Sequence, residues 1–115
     1  MLHDSDKVRL GHMIEAAREA LDHARNRTFS DLENNAPVRH LLVRNLEILG
    51  EAASRVSPEL RDSYPEIPWR RIVNMRNRLI HAYFDIDMEI VWTTVQQFLP
   101  DVLEKLEGVL RRAQA

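Results

Sequence analysis

Leu46-Glu47-Ile48-Leu49-Gly50-Glu51-Ala52-Ala53 is the stretch whose reading decides how this chain folds. It sits inside a longer apolar series, Val38, Leu41, Leu42, Leu46, Leu49, Ala52, Ala53 and Val56. Recurrence at every third or fourth position places these side chains on one face of an α-helix. Gly50, Ala52 and Ala53 are small, which predicts that another helix crosses closely there. Elsewhere the chain keeps the same period. Its 115 residues include only three glycines and five prolines, and strand-like alternation is absent. The expected fold is therefore all-α, an up-down bundle of four or five helices in a single domain spanning residues 1–115.

A first helix is predicted from about Asp6 to Arg27, with Leu10, Met13, Ile14, Ala17, Leu21 and Ala24 as its buried stripe. Thr28, Ser30, Asp31, Asn34 and Asn35 make a polar turn with room for one short helical turn. Pro37 suits the first position of the second helix. Ser57-Pro58-Glu59-Leu60 breaks that helix, and three prolines up to Pro68 imply a structured connection. Pro68 opens a third helix, with Trp69, Ile72, Val73, Met75, Leu79 and Ile80 toward the core. A fourth follows, N-capped by Asp87. Its stripe is Ile90, Val91, Val95, Phe98, Leu99, Val102, Leu103, Leu106 and Leu110, and Pro100 should kink or split it.

Composition narrows the function classes. Hydrophobic residues are 44% and charged residues 30%, an ordinary globular balance. There is no cysteine, which removes thiolate catalysis, disulfides and cysteine-ligated zinc. No signal-peptide pattern and no apolar run of roughly 20 residues occurs, so a cytoplasmic location is expected. The formal charge is -2, yet it is unevenly spread. From Glu66 to Tyr83, four arginines (70, 71, 76 and 78) face one glutamate; from Phe84 to Glu107, six carboxylates face Lys105. An acidic chain with gathered arginines remains compatible with nucleic acid.

The basic part contains Arg76, Asn77, His81 and Tyr83, spaced Arg-x4-His-x-Tyr. A guanidinium grips phosphate oxygens with a two-pronged fork. An imidazole moves protons near neutral pH. Together they suit phosphodiester chemistry. On an ideal helix Asn77 and His81 share a face, whereas Arg76 and His81 lie about 140° apart. Three arrangements reconcile them: the helix ends near His81, the long arginine curls round, or a second subunit completes the pocket. Glu51, beside Gly50, is placed either to pair with Arg76 in the cleft or to make a plain structural contact. Glu19 and His23 share a helical face but lack a third metal ligand, and Trp69 after Pro68 reads as a packing anchor.

Asn77-Arg78-Leu79-Ile80-His81-Ala82-Tyr83-Phe84-Asp85-Ile86-Asp87, with Leu46 to Ala53 upstream, resembles the HepT-like toxins of the HEPN superfamily. Arg76, His81 and Tyr83 match that family's Arg-x4-6-His-x-Tyr signature, and Asn77 is the polar residue expected after the arginine. The resemblance implies a homodimeric, metal-independent ribonuclease whose motifs line a cleft between subunits. It needs no cofactor, and tRNA is one target class it implies. It further implies a type VII-like toxin–antitoxin pair, in which an MntA-like nucleotidyltransferase neutralises the toxin by attaching AMP to Tyr83. Arg76 would then stabilise charge on the nonbridging oxygens, His81 would act as general acid or base, and Asn77 and Tyr83 would bind or orient. A noncatalytic helical module that presents a surface to a nucleotidyltransferase is the competing expectation.

Overall fold

Asn35 starts the helix on which the others are assembled. Its side-chain oxygen accepts a hydrogen bond from the Val38 amide at 3.2 Å, satisfying one of the free donors of the first turn. The computed structural model describes residues 2–81 and 85–114; the His81 side chain and the whole of Tyr83 lie outside the described residues. Among them the helices are α1 (Asp4–Ala24), α2 (Phe29–Glu33), α3 (Ala36–Ser54), α4 (Pro58–Ser63), α5 (Trp69–His81), α6 (Met88–Thr93) and α7 (Leu99–Gln114). No strand occurs among the described residues. The all-helical bundle expected from periodicity is what the chain forms.

α3 is sandwiched between α1 on one side and α5 on the other, and α7 covers the far side of α1. The core runs through Leu10, Met13, Leu42, Leu46, Leu49, Ile72, Leu99 and Leu106, all essentially without solvent exposure. Aliphatic side chains so buried each cost about 2–5 kcal/mol when cut back to alanine, which makes this stripe the main source of stability. Ala16 and Ala20 also belong to the buried face of α1, where small side chains let α1 lie close to its neighbours.

The short elements follow from local chemistry. α2 is the single helical turn anticipated in the polar stretch. Thr28 and Asp31 form a reciprocal capping box there, each side chain bonded to the other's backbone amide. Pro58 does more than stop α3, because it opens α4, whose N-cap Ser57 accepts from the Leu60 amide. Asp6 of α1, although buried, accepts from both the Ser57 amide at 2.9 Å and the Ser57 hydroxyl at 2.6 Å. One carboxylate therefore fastens the start of α1 to the connection after α3.

One expectation is corrected. Ile80 does not face the core; it is among the exposed large apolar residues, because the core side of α5 is set by Trp69, Ile72 and Leu79. The interruption expected at Pro100 is present: the last helix is divided into α6 and α7. A π-helical turn, Thr94–Phe98, precedes the proline, with the Leu99 amide reaching back to the Thr94 carbonyl. The wider turn accommodates a ring that would otherwise strike the carbonyl four residues earlier. The apolar stripe passes through it unbroken, from Val91 and Val95 to Leu99, Val102, Leu106 and Val109.

Gly50 marks the α3–α5 crossing. A β-carbon built there would lie 2.1 Å from the Arg76 β-carbon and 3.2 Å from the Ile72 carbonyl oxygen. Alanine is the better helix former by up to about 1 kcal/mol, but overpacking costs about 1–3 kcal/mol, so the clash decides the sign. Gly50→Ala is expected to lower the melting temperature by several degrees, measured by circular dichroism; an unchanged or raised value would show that the helices part freely.

Candidate active site

The Arg76 side chain begins where Gly50 leaves room for it. From there its guanidinium reaches along α3: Nη2 lies 3.1 Å from Glu51 Oε2 and donates to Ser54 Oγ at 3.3 Å. The other carboxylate oxygen of Glu51 accepts from Arg55 Nε at 2.8 Å. A single carboxylate thus serves two guanidinium groups. Ser54 is held in turn, its hydroxyl donating to the Glu51 carbonyl at 2.7 Å. Arg76 is 20% exposed, so it is seated in the wall of the protein with its tip within reach of solvent.

Electrostatics favour anions at this place. The Glu51 carboxyl is held below its ordinary value of 4.5, first by the Arg55 hydrogen bond and then by the positive charges of Arg76, Arg55 and Arg9, against partial desolvation. Arg76 also lines a cleft of about 420 Å³ between three helices. α1 contributes Arg9 and His12, α3 contributes Arg44, Glu47 and Arg55, and α5 adds Ile80. None of Arg9, His12, Arg44 and Arg55 was singled out from the sequence. The α3 members were findable in principle: Arg44, Glu47, Glu51 and Arg55 recur at helical spacing on one face. The α1 members are brought in only by packing.

The candidate residues are distributed as follows. Arg76 is in the cleft with Glu51, the ionic partner considered for it. Asn77 is half-buried and is not among the cleft's lining residues, consistent with its place about 100° further round α5. His81 is the last residue of α5, with its side chain outside the described residues, as is Tyr83. Trp69 is the anchor expected, 7% exposed with its indole N–H donating to the Tyr64 carbonyl. Glu19 and His23 gain no third ligand among the described residues.

A larger groove of about 1330 Å³ runs along another side of α5, past Arg70, Asn74 and Arg78. Asp62, Asp87 and Glu89 share it, and Arg71 is spent on the Phe98 ring, 4.1 Å from its centroid. With Arg61 it has four arginines against three carboxylates, a less positive lining than the smaller cleft's four against two.

A profile of proteins described as "Ribonuclease HepT-like" matches residues 13–109. The chain belongs to the HepT-like ribonuclease family. It is 35% identical to the "Probable ribonuclease HepT" of Thermococcus cleftensis, over 90% of this chain and 94% of that one. It is 32% identical to the "Putative RNase MJ1380" of Methanocaldococcus jannaschii, with the same coverage of both chains. A protein of Caldanaerobacter subterraneus, "Putative RNase TTE0752", shares 28% identity over 90% of this chain and 92% of its own. No solved structure gives a significant match.

Removing the shared carboxylate has a definite pH signature. Because the folded pKa of Glu51 is lowered, the folded state holds fewer protons than the unfolded one across the carboxylate range. Its stabilisation is present above 4.5 and is lost as pH falls through the folded value. Glu51→Gln should therefore be slightly less stable than the native protein at neutral pH, with the gap closing on acidification. Urea denaturation at several pH values measures it; a gap that widens toward acid would contradict the assignment.

Proposed function

We propose that this HepT-like ribonuclease cuts RNA without a metal ion, using Arg76 and His81 as its catalytic pair. The observation that carries the proposal is the seating of Arg76. It is fixed by a glycine crossing, a carboxylate and a hydroxyl, with its guanidinium tip at the edge of a positively charged cleft. RNA brings its own nucleophile. The 2′-hydroxyl attacks the adjacent phosphorus, the bond to the 5′-oxygen breaks, and a 2′,3′-cyclic phosphate and a free 5′-hydroxyl result. His81 moves a proton from the 2′-hydroxyl or to the leaving 5′-oxygen. Arg76 stabilises the extra charge on the nonbridging oxygens, as a carboxylate-binding fork is suited to do. Asn77 orients the imidazole or bonds the phosphate, and Tyr83 donates a hydrogen bond.

The working unit is a homodimer with the two motifs facing one cleft. In support, α5 packs extensively only against α3 among the described residues, leaving its outer side open to a second copy. The protein acts in the cytoplasm as the toxin of a toxin–antitoxin pair; no described helix is long and apolar enough to cross a membrane. Its antitoxin is an MntA-like nucleotidyltransferase that transfers AMP to the Tyr83 oxygen. The added phosphate repels the RNA backbone and the nucleoside fills the space it needs.

Two experiments test this. Purified His81→Ala and Arg76→Ala proteins should cleave single-stranded RNA at least about 100-fold more slowly than the native chain. Arg76→Lys should recover only part of the rate, since a point charge replaces a fork. Undiminished cleavage by His81→Ala, or none by the unmodified native protein, would favour the noncatalytic module instead. Separately, the intact mass of protein co-expressed with the neighbouring gene should rise by whole AMP units that peptide mapping assigns to Tyr83. Attachment to any other residue would remove the tyrosine from the scheme.

A further inference from the structure

The geometry points to a track for the RNA backbone in the cleft beside Arg76, where Arg9, Arg44 and Arg55 hold phosphates flanking the one that is cut. This inference rests on the proposed ribonuclease activity and extends it to the strand on either side of the scissile bond. Four arginines, 9, 44, 55 and 76, face two carboxylates, Glu47 and Glu51, across this cleft, a local charge of +2 with His12 neutral. The whole chain carries -2, so the excess is local. Nor is it spent internally. Glu51 is divided between Arg55 and Arg76, while Glu47 and Arg44 are only loosely paired at 3.9 Å. Arg9 Nε is buried with no acceptor among the described residues.

Position matters as much as charge. Arg44 lies on α3 and Arg55 is its C-cap eleven residues on, about 16 Å along the helix axis, which spans several successive backbone phosphates. Their side chains are 72% and 59% exposed, within reach of a strand in solvent. Ile80, at 36% exposure, offers an apolar surface at the cleft's α5 edge against which a base can rest. One oxygen of the Glu51 carboxylate already lies 3.1 Å from Arg76 Nη2, so the guanidinium meets an oxyanion oxygen at this edge of the cleft. A phosphate arriving from the cleft takes its place without moving the α3–α5 crossing.

The test uses the His81→Ala full-length protein, chosen for its expected slow cleavage, and a short fluorescein-labelled single-stranded RNA, confirmed intact on a gel, followed by anisotropy across a salt series. Arg44→Ala should weaken binding several-fold and flatten the slope of log affinity against log salt by about 0.7 for the lost phosphate contact. Arg44→Lys should restore most of both, because a backbone phosphate accepts a point charge. Arg9→Ala should act in the same direction, with its melting curve confirming that the fold is kept. Arg25→Ala removes an equal charge at the far end of α1 and should change neither quantity. In the His81-intact background, KM for RNA should rise by a larger factor than kcat falls. An unchanged slope in Arg44→Ala and Arg9→Ala, or equal weakening by Arg25→Ala, overturns the track. It does so even if the native protein cleaves RNA, which keeps this failure separate from that of the proposed activity. Loss of binding to an acidic protein partner with RNA affinity intact would likewise overturn it.

Discussion

Everything distinctive about this molecule depends on two helices approaching more closely than side chains normally permit. At Gly50 the α3 backbone has no β-carbon, and the first two carbons of Arg76 lie in the space one would fill. Interiors pack at crystal density, so such a space cannot be shared. The contact fixes both the distance and the rotation of α5 against α3. Rotation is the part that matters for chemistry, because it decides which residues of a thirteen-residue helix face the cleft. Arg76 and, one turn later, Ile80 are the ones selected.

The ionic contacts around Arg76 add little to stability and much to orientation. Pairs between partly exposed groups contribute on the order of 0–1 kcal/mol, whereas each large core side chain contributes several times that. Glu51, 45% exposed, belongs to the first kind. Its worth lies in aim: a guanidinium held from two sides, by a carboxylate and a hydroxyl, has few ways left to point. Weak attachment is also an advantage for binding. A carboxylate in contact with water can be exchanged for a phosphate at small cost, while one buried as completely as Asp6 could not be.

The helices, their order, the capping Asp87 and the close crossing at Gly50 were legible because they depend on spacing and local chemistry. Asp87 does accept from the amides of Glu89 and Ile90, as its type and place require. Ile80 was misjudged since, among the described residues, nothing covers it fully where α5 borders the cleft, and periodicity does not reveal where a buried face gives way to a cleft. The interruption at Pro100 was legible, but its form was not: a π turn is a backbone register change that leaves no trace in side-chain pattern. Arg76 and Glu51 could be picked out as possible partners, yet Arg9 and His12 could not. They arrive from α1, some 40 residues upstream of α3's contribution, and nothing in their local sequence sets them apart.

The seating of Arg76 bears on how two groups about 140° apart round one helix could act on a single phosphate. The arginine does not curl toward the end of α5; it extends along α3 toward Glu51 and Ser54. α5 continues to His81 and the two positions are separated by about 7.5 Å along its axis. Of the three arrangements, the curled arginine is therefore the one the contacts disfavour. A helix that ends at the histidine and a second copy that completes the pocket both remain compatible with Arg76 where it is, and they are not exclusive. In either case the guanidinium is anchored on the α3 side, and under the proposed mechanism a substrate would reach it through the cleft. That geometry is the ground on which the proposed track joins the arginines flanking the cleft, far from the motif in sequence, to the proposed mechanism.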